Sequence, residues 1–333
     1  MAVLIAGGAG YIGSHTAVEL IERGEEVLIG DNFSRSEKDR ISAIEKITGR
    51  PMVWREVDFT DYGQTAELFA SCQIDMVINF AAYKAIGESV RKPLSYYGNN
   101  VNVMINLCRA MEKFHVNHMI FSSSATVYGS GPSPMREDQP LGETENPYGE
   151  TKRICERILS DFYASGRIKG GCVLRYFNPV GAHESGLIGE RMKGNVTNLM
   201  PLLCKAAKGQ TDILEVYGSD YPTPDGTGVR DYVHVVDVAK GHVAALEFLD
   251  RNPGFHVFNL GTGQGVSVLE LIETFQKVNG VKVPYRFAPR RPGDVAECYA
   301  SVEKAKNVLD WQAKRSLEDM ARDAWRFELR CKV

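Results

Sequence analysis

Val3-Leu-Ile-Ala-Gly-Gly-Ala-Gly-Tyr-Ile-Gly13 is the stretch on which the fold turns. Its first four residues form an apolar run that reads as a buried strand. Glycines 7, 10 and 13 follow in G-x-x-G-x-x-G spacing. Ser14 to Arg23 has helical character, with Ala17, Leu20 and Ile21 on one side. Glu26-Val-Leu-Ile29 is a second strand that ends near Asp31. Strand, glycine turn, helix, strand and acid together make a dinucleotide fingerprint in its structural context. Glycine lets backbone approach a pyrophosphate, and a helix N-terminus favours the phosphate charge. Gly7, Gly10, Tyr11, Ile12 and Gly13 are therefore candidate cofactor contacts. Asp31 stands 18 residues after Gly13, where a carboxylate can accept from both hydroxyls of an adenosine ribose. A 2′-phosphate would be repelled there, which favours NAD over NADP.

Moving outward, the alternation continues. Met52–Val57, Met76–Phe80, Met119–Ser122 and Cys172–Phe177 read as further strands with helical patterns between them. This argues an α/β fold, a Rossmann-type doubly wound parallel sheet. Residues 1–177 are expected to form the NAD-binding domain. A smaller, mixed α/β substrate domain is expected over 178–333. It is read as discontinuous, because segments near 229–262, Phe255–Leu260 above all, look able to return to the main sheet. Ser267-x-x-Glu270 is a capping box opening a helix to about Val278.

Asn146-Pro-Tyr-Gly-Glu-Thr-Lys152 carries the chemistry. An N-cap residue followed by proline starts a helix, and Tyr148 and Lys152 then share one face of it. A tyrosine titrates near ~10, and lowering that by ~3 units takes about 4 kcal/mol. One cation at ~5 Å supplies roughly 3 kcal/mol at an effective dielectric of ~20. Lys152 with a second positive charge is thus expected to turn Tyr148 into a base, and an oxidised nicotinamide ring would be such a charge.

The bulk properties bound the rest. The chain has 333 residues, a net charge of −3 and a pI of about 6.2, so no nucleic-acid field is expected. No apolar run approaches the ~20 residues of a membrane helix, and the N-terminal apolar run lacks a preceding cationic segment, so neither span nor secretion signal is expected. Seven scattered cysteines without a C-x-x-C fit a reducing cytoplasm, and the seven histidines lack metal spacing. Val101–Phe114 carries two apolar stripes, and the helix of Tyr148 continues with Ile154, Cys155, Ile158, Leu159 and Phe162. Helices apolar on two sides are buried on two sides, which points to a homodimer.

With Ser122-Ser-Ser-Ala-Thr-Val-Tyr-Gly129 and Arg175-Tyr-Phe-Asn-Pro-Val-Gly-Ala182, these motifs resemble the extended short-chain dehydrogenase/reductase family. Asn198-Leu-Met-Pro201, Tyr217-Gly-Ser-Asp-Tyr-Pro222, Asp225–His234 and Ala288–Asp294 narrow the resemblance to its UDP-glucose 4-epimerase branch, from about Val3 to Trp325. Ala6 departs from the threonine usual there, and Gly30 from a larger apolar residue. The resemblance implies that Tyr148 takes the proton of the sugar 4′-hydroxyl while the C4′ hydride passes to NAD. Ser124 would bond the same oxygen, and Lys152 would hold the ribose and tune Tyr148. The resulting 4′-keto sugar would turn and be reduced on its other face. Asn32 would join Asp31 at the ribose, with Asp58 and Phe59 at the adenine. Phe80, Ala81, Lys84 and Asn99 would line the cofactor, and Tyr176 and Phe177 would flank its nicotinamide. Asn178, Asn198, Leu199, Tyr217, Arg230, Arg291 and Asp294 would hold the UDP-sugar.

By count from Arg291 and Asp294, Cys298 falls beside the sugar's 2′-substituent in this family, where members restricted to plain hexoses often carry tyrosine. A thiol there leaves room for an acetamido group, so UDP-GlcNAc and UDP-GalNAc join the expected substrates. Rival readings remain. A sugar-nucleotide 4,6-dehydratase would carry an acid pair where Ala125 and Thr126 stand. A nucleotide-sugar decarboxylase or reductase, or a non-catalytic NAD-sensing regulator, would keep the fold.

Overall fold

A computed structural model describes residues 1–191, 198–211, 213–291 and 293–331. The first part runs β1 (Ala2–Ala6), α1 (Tyr11–Glu22), β2 (Glu26–Asp31), α2 (Asp39–Thr48), β3 (Val53–Glu56), α3 (Tyr62–Ser71), β4 (Met76–Asn79), α4 (Ile86–Arg91), α5 (Pro93–Phe114), β5 (His118–Ser124), α6 (Pro147–Ala164) and β6 (Gly170–Tyr176). It continues as β7 (Asn178–Val180), α7 (Leu199–Ala207), β8 (Leu214–Tyr217), β9 (Val229–Arg230), β10 (Tyr232–His234), α8 (Val235–Arg251) and β11 (Phe255–Leu260). The last elements are β12 (Val266–Ser267), α9 (Val268–Asn279), β13 (Tyr285–Ala288), β14 (Glu297–Cys298), α10 (Glu303–Leu309) and α11 (Leu317–Arg330).

Seven parallel strands form the main sheet in the order β11-β6-β5-β4-β1-β2-β3. The apolar run of β1 is explained by burial on both faces. Val3 and Ile5 join one core with α1, α2 and α8, through Ala17, Ile41 and Leu246. Leu4 and Ala6 point the other way, into a core with α3, α5 and α6 through Leu68, Leu107 and Leu159. β11 returns beside β6, Phe255 opposite Gly171 through Leu260 opposite Tyr176. A separate core gathers Leu203 of α7, Val216 of β8, Phe275 of α9 and Met320 of α11. The Ser267/Glu270 capping box opens α9 as its sequence indicates.

α5 begins at Pro93, a full two turns before the apolar stripe starts at Val101. Polar residues hide this first part from a hydrophobic reading. They have their own tertiary partners: buried Asn100 accepts from the Tyr83 amide at 2.8 Å and donates to Thr151 Oγ1 of α6 at 2.8 Å. β5 likewise runs on through Ser124 rather than stopping at Ser122, because buried partners satisfy its serine hydroxyls. β1 and β4 are neighbours although the chain passes from β1 to β2 on the other side. The strand order therefore reverses there, and a crevice opens at the carboxyl ends.

Candidate active site

A cleft of about 500 Å³ occupies that crevice. The Gly7–Gly13 turn forms its floor. A Cβ on Gly7, which has φ +77°, would stand 2.7 Å from the Ala81 amide nitrogen, and one on Gly13 would stand 2.6 Å from the Gly7 carbonyl oxygen. Only glycine permits this closeness. Gly10 caps α1 without a side-chain bond, which leaves the helix N-terminus aimed at the cleft. Asp31 sits at the end of β2, with Oδ2 accepting from Ala9 N at 3.0 Å and Oδ1 from Phe33 N at 2.9 Å and Ser36 Oγ at 2.8 Å. It also lines the cleft, where a carboxylate suits ribose hydroxyls. A glycine-built turn, a helix N-terminus and an acid at the second strand fit NAD.

Of the residues expected at the cofactor, Tyr11, Ile12, Asn32, Asp58, Phe59, Phe80, Ala81, Lys84, Asn99, Tyr148, Lys152 and Tyr176 all line this cleft. Several are held in place by local bonds. Asn32 Oδ1 accepts from Ser34 N at 3.0 Å, Asp58 Oδ1 from Thr60 N at 2.9 Å, and Asn99 donates to Asn100 Oδ1 at 3.0 Å. Phe59 is buried, and its ring fills the space over Gly30, where a Cβ would stand 2.6 Å from Cζ. The unusual Gly30 is thus the partner of Phe59. Phe177 does not line the cleft. It is buried beside Ala125 and Tyr128, because β7 carries the chain away from the crevice after Tyr176.

Asn146 Oδ1 accepts from Gly149 N at 2.9 Å and Pro147 occupies N1, so α6 starts where its motif indicates. The Lys152 ammonium donates to the Ser122 carbonyl at 2.5 Å, above the Phe121 ring at 4.9 Å and 5.9 Å from the centre of the Tyr148 ring. Burial pushes the Tyr148 phenol up to about 12, against a hydrogen bond with Ser124 that lowers it. Burial likewise pushes Lys152 down to about 8. The Coulomb estimate from the sequence had Lys152 acting on the phenol. In the folded protein desolvation dominates the phenol's pKa, and the ammonium bonds the Ser122 carbonyl. Ser124 also accepts from Thr126 N at 3.3 Å, so it caps the turn over 125–128 while facing Tyr148.

Five of the residues expected at the sugar nucleotide, Tyr217, Arg230, Arg291, Asp294 and Cys298, are linked to one another. Arg230 lies 3.7 Å from Asp294, and Cys298 pairs with Arg230 in the β9–β14 register. The Asp294 amide donates to the Arg291 carbonyl at 3.2 Å, and the Arg291 guanidinium stacks 3.8 Å over the Tyr217 ring. Cys298, its thiol pushed up to about 11 by burial, packs against the cluster that holds Ala125 and Phe177 beside Ser124. Asn178 donates to the Asp231 carbonyl at 3.3 Å, and Leu199 opens α7. Asn198 instead lines the dinucleotide cleft and donates to Glu190 Oε1 at 2.7 Å.

Sequence reading missed Glu190, which also takes Lys84 Nζ at 2.6 Å, and Arg35, which lines the cleft, pairs with Glu88 at 2.9 Å and stacks 4.6 Å over Tyr83. These pairs join distant segments and leave no local pattern.

The family model described as the NAD dependent epimerase/dehydratase family matches residues 3–261. The chain belongs to this family. It is 52% identical over 329 residues to the UDP-glucose 4-epimerase of Bacillus subtilis (strain 168), which covers 98% of this chain and 97% of that protein. The crystal structure of UDP-glucose 4-epimerase from Bifidobacterium longum in complex with NAD+ and UDP superposes with a TM-score of 0.95 at 47% identity, over 99% of this chain and 98% of that one. The UDP-Glc/GlcNAc 4-epimerase from Campylobacter jejuni superposes with a TM-score of 0.85 at 38% identity, over 99% of each chain. No helix among the described residues is long and apolar enough to cross a membrane.

Proposed function

We propose that this chain is an NAD-dependent 4-epimerase of UDP-hexoses, interconverting UDP-glucose with UDP-galactose and UDP-GlcNAc with UDP-GalNAc. The observation that carries the reading is the start of α6, which sets Tyr148 and Lys152 into the dinucleotide cleft with Ser124 close enough to Tyr148 to lower its pKa. NAD held in the cleft supplies reversible hydride acceptance at C4′ and a positive ring charge. Tyr148 takes the proton from O4′, and Ser124 bonds the same oxygen and eases the transfer. Lys152 adds a buried positive charge and a donor for the cofactor ribose. Arg230 and Arg291 grip the diphosphate, for which their forked donors are suited. With the nucleotide held and the sugar loosely enclosed, the 4′-keto sugar turns about its diphosphate link. Tyr148 then returns the proton with the opposite face presented, and C4′ is inverted.

Acceptance of N-acetyl sugars rests on the small side chain of Cys298 beside Arg230. A homodimer through α5 and α6 is supported by the apolar residues these helices leave accessible: Ile105 is 38% exposed, and Val101, Ile154, Ile158 and Phe162 are half-buried. Seven free cysteines suit a reducing cytoplasm.

Product analysis with all four UDP-hexoses and no added cofactor tests the reading. Each sugar is expected to reach a mixture with its C4′ epimer. Protein that retains NAD yet leaves every UDP-sugar unchanged would make it a sensor; in parallel assays, carbon dioxide released from a UDP-uronic acid would make it a decarboxylase, and stoichiometric oxidation of added NADH would make it a reductase.

A further inference from the structure

Three consecutive serines end β5, and each is tied to a different group. The Ser122 carbonyl takes Lys152, and its hydroxyl takes the Tyr176 phenol. Ser124 bonds Tyr148. Between them, Ser123 is fully buried and donates to Glu156 Oε1 at 2.5 Å. Glu156 lies one helical turn beyond Lys152, on the same face of α6. Its carboxylate is held in a two-pronged grip by Arg175 of β6, Nε to Oε1 at 3.0 Å and Nη2 to Oε2 at 2.6 Å. Arg175 also donates to the Tyr128 hydroxyl at 3.1 Å, which donates in turn to Asn259 of β11 at 2.7 Å. Both charged side chains are nearly buried, at 6% and 9% exposure. Desolvating two charges costs so much that an apolar pair of equal volume is often at least as stable. Stability alone therefore does not account for an ion pair at this position.

We propose that the Glu156–Arg175 pair is a positioning device for the reaction, clamping the end of β5 against α6 so that Ser124, Tyr148 and Lys152 meet in register. The inference rests on the epimerase reading given above. Glu156 and Arg175 are positioning residues and touch no reactant. The charge of Glu156 adds a second effect, since it favours the protonated form of Lys152. The other titratable groups around Lys152 are Tyr148 and Cys155 on its own helix, Tyr176 from β6, and Cys108 of α5 beside Cys155. β5 presents only serine groups and the Phe121 ring. Glu156 is thus the carboxylate among these groups.

The test compares Glu156→Gln, the apolar double variant Glu156→Met/Arg175→Met, and Ser123→Ala with the parent, each with UDP-galactose across pH. The parent must first epimerise; an inert parent overturns the underlying reading instead. Glu156→Gln is expected to lower kcat about tenfold with KM changed less than about twofold. Its alkaline kcat limb is expected to move down by about half a pH unit, because Lys152 then loses its proton more readily. The double variant is expected to keep the parent's unfolding temperature and still show the kcat loss, which a merely structural pair would not produce. Ser123→Ala removes one bond, leaves all charges in place, and is expected to lose kcat several-fold. Parent-like kcat and pH profile in folded Glu156→Gln or in the double variant would overturn the proposal. If neither folds, parent-like kcat in Ser123→Ala would overturn it.

Discussion

The Lys152 ammonium is bonded to the Ser122 carbonyl at 2.5 Å rather than to the Tyr148 phenol, whose ring centre stands 5.9 Å away. In the protein alone the phenol is therefore a weak acid, pushed up to about 12 by burial. A positive charge entering the cleft must overcome that desolvation before Tyr148 can act as a base. Tyr148→Phe removes the phenol oxygen, the proposed proton acceptor, without altering the ring. Epimerisation is expected to fall by about 10²–10⁴-fold, the usual worth of a positioned base. UDP binding by calorimetry is expected to stay as in the parent. Undiminished interconversion would remove Tyr148 from the mechanism.

Lys152 is a buried charge placed at a structural cost. Its pKa falls from 10.5 to about 8 on burial, a penalty of roughly 3 kcal/mol. Between those values the unfolded chain binds the extra proton, so this contribution to stability rises with pH across the window and the penalty is fully present below it. Lys152→Met keeps the side-chain length and removes the charge. At pH 7 it is expected to raise the unfolding temperature by a few degrees while epimerisation is lost. A lowered unfolding temperature would show that the Ser122 bond outweighs the desolvation.

The glycine turn, the strand alternation and the Asn146–Lys152 helix start were legible because each is a local pattern: a spacing, a period or a cap. Asp31 could be placed for the same reason, by counting from Gly13. The partners of Lys152 were not legible. Which group an ammonium meets depends on how β5 and α6 pack, and residues 122 and 152 are far apart in the chain. Glu190 and Arg35 stayed hidden likewise, since their partners Lys84, Asn198 and Glu88 come from other segments. Phe177 reads as a continuation of β6 and so as a cofactor neighbour. Its burial follows from the turn into β7, which no residue pattern announces.

His242 should contribute to acid sensitivity alongside His15, which burial also pushes down. It is fully buried on α8 between Phe80, at 4.7 Å, and Tyr176, at 5.6 Å, with Nδ1 on the Val238 carbonyl. Burial lowers its pKa from 6.5 to about 4. A depressed value means that stability is intact above 6.5 and drains away as pH falls toward 4, where the unfolded chain alone takes the proton. The full loss is roughly 3 kcal/mol. His242→Phe is expected to flatten the urea midpoint between pH 6.5 and 4. An unchanged slope would assign the acid limb elsewhere, with His15, also buried and pushed down, the next group to vary.

Gly30 and Phe59 should behave as one unit. A methyl on residue 30 would meet Phe59 Cζ at 2.6 Å, in a region where both residues pack tightly. Gly30→Val is expected to cost about 1–3 kcal/mol through overpacking. Gly30→Val/Phe59→Leu should recover most of it, because the smaller side chain vacates the clash. Denaturant midpoints of the two singles and the double give the coupling. Additive losses would mean that the two positions relax independently.

The proposed acceptance of N-acetyl sugars is tested at residue 298. Cys298 sits opposite Arg230 in the β9–β14 register and against the cluster holding Ala125 and Phe177. A tyrosine at this position adds a ring where a 2′-acetamido group would have to lie, while a 2′-hydroxyl needs far less room. Cys298→Tyr is therefore expected to abolish turnover of UDP-GlcNAc and UDP-GalNAc and to leave UDP-galactose turnover within about threefold, since steric exclusion acts on one substrate class only. Cys298→Ala serves as the control for the thiol itself, and its two activities should fall together or not at all. Parent protein that converts UDP-galactose but not UDP-GalNAc would show that neighbouring loops close the space regardless of residue 298.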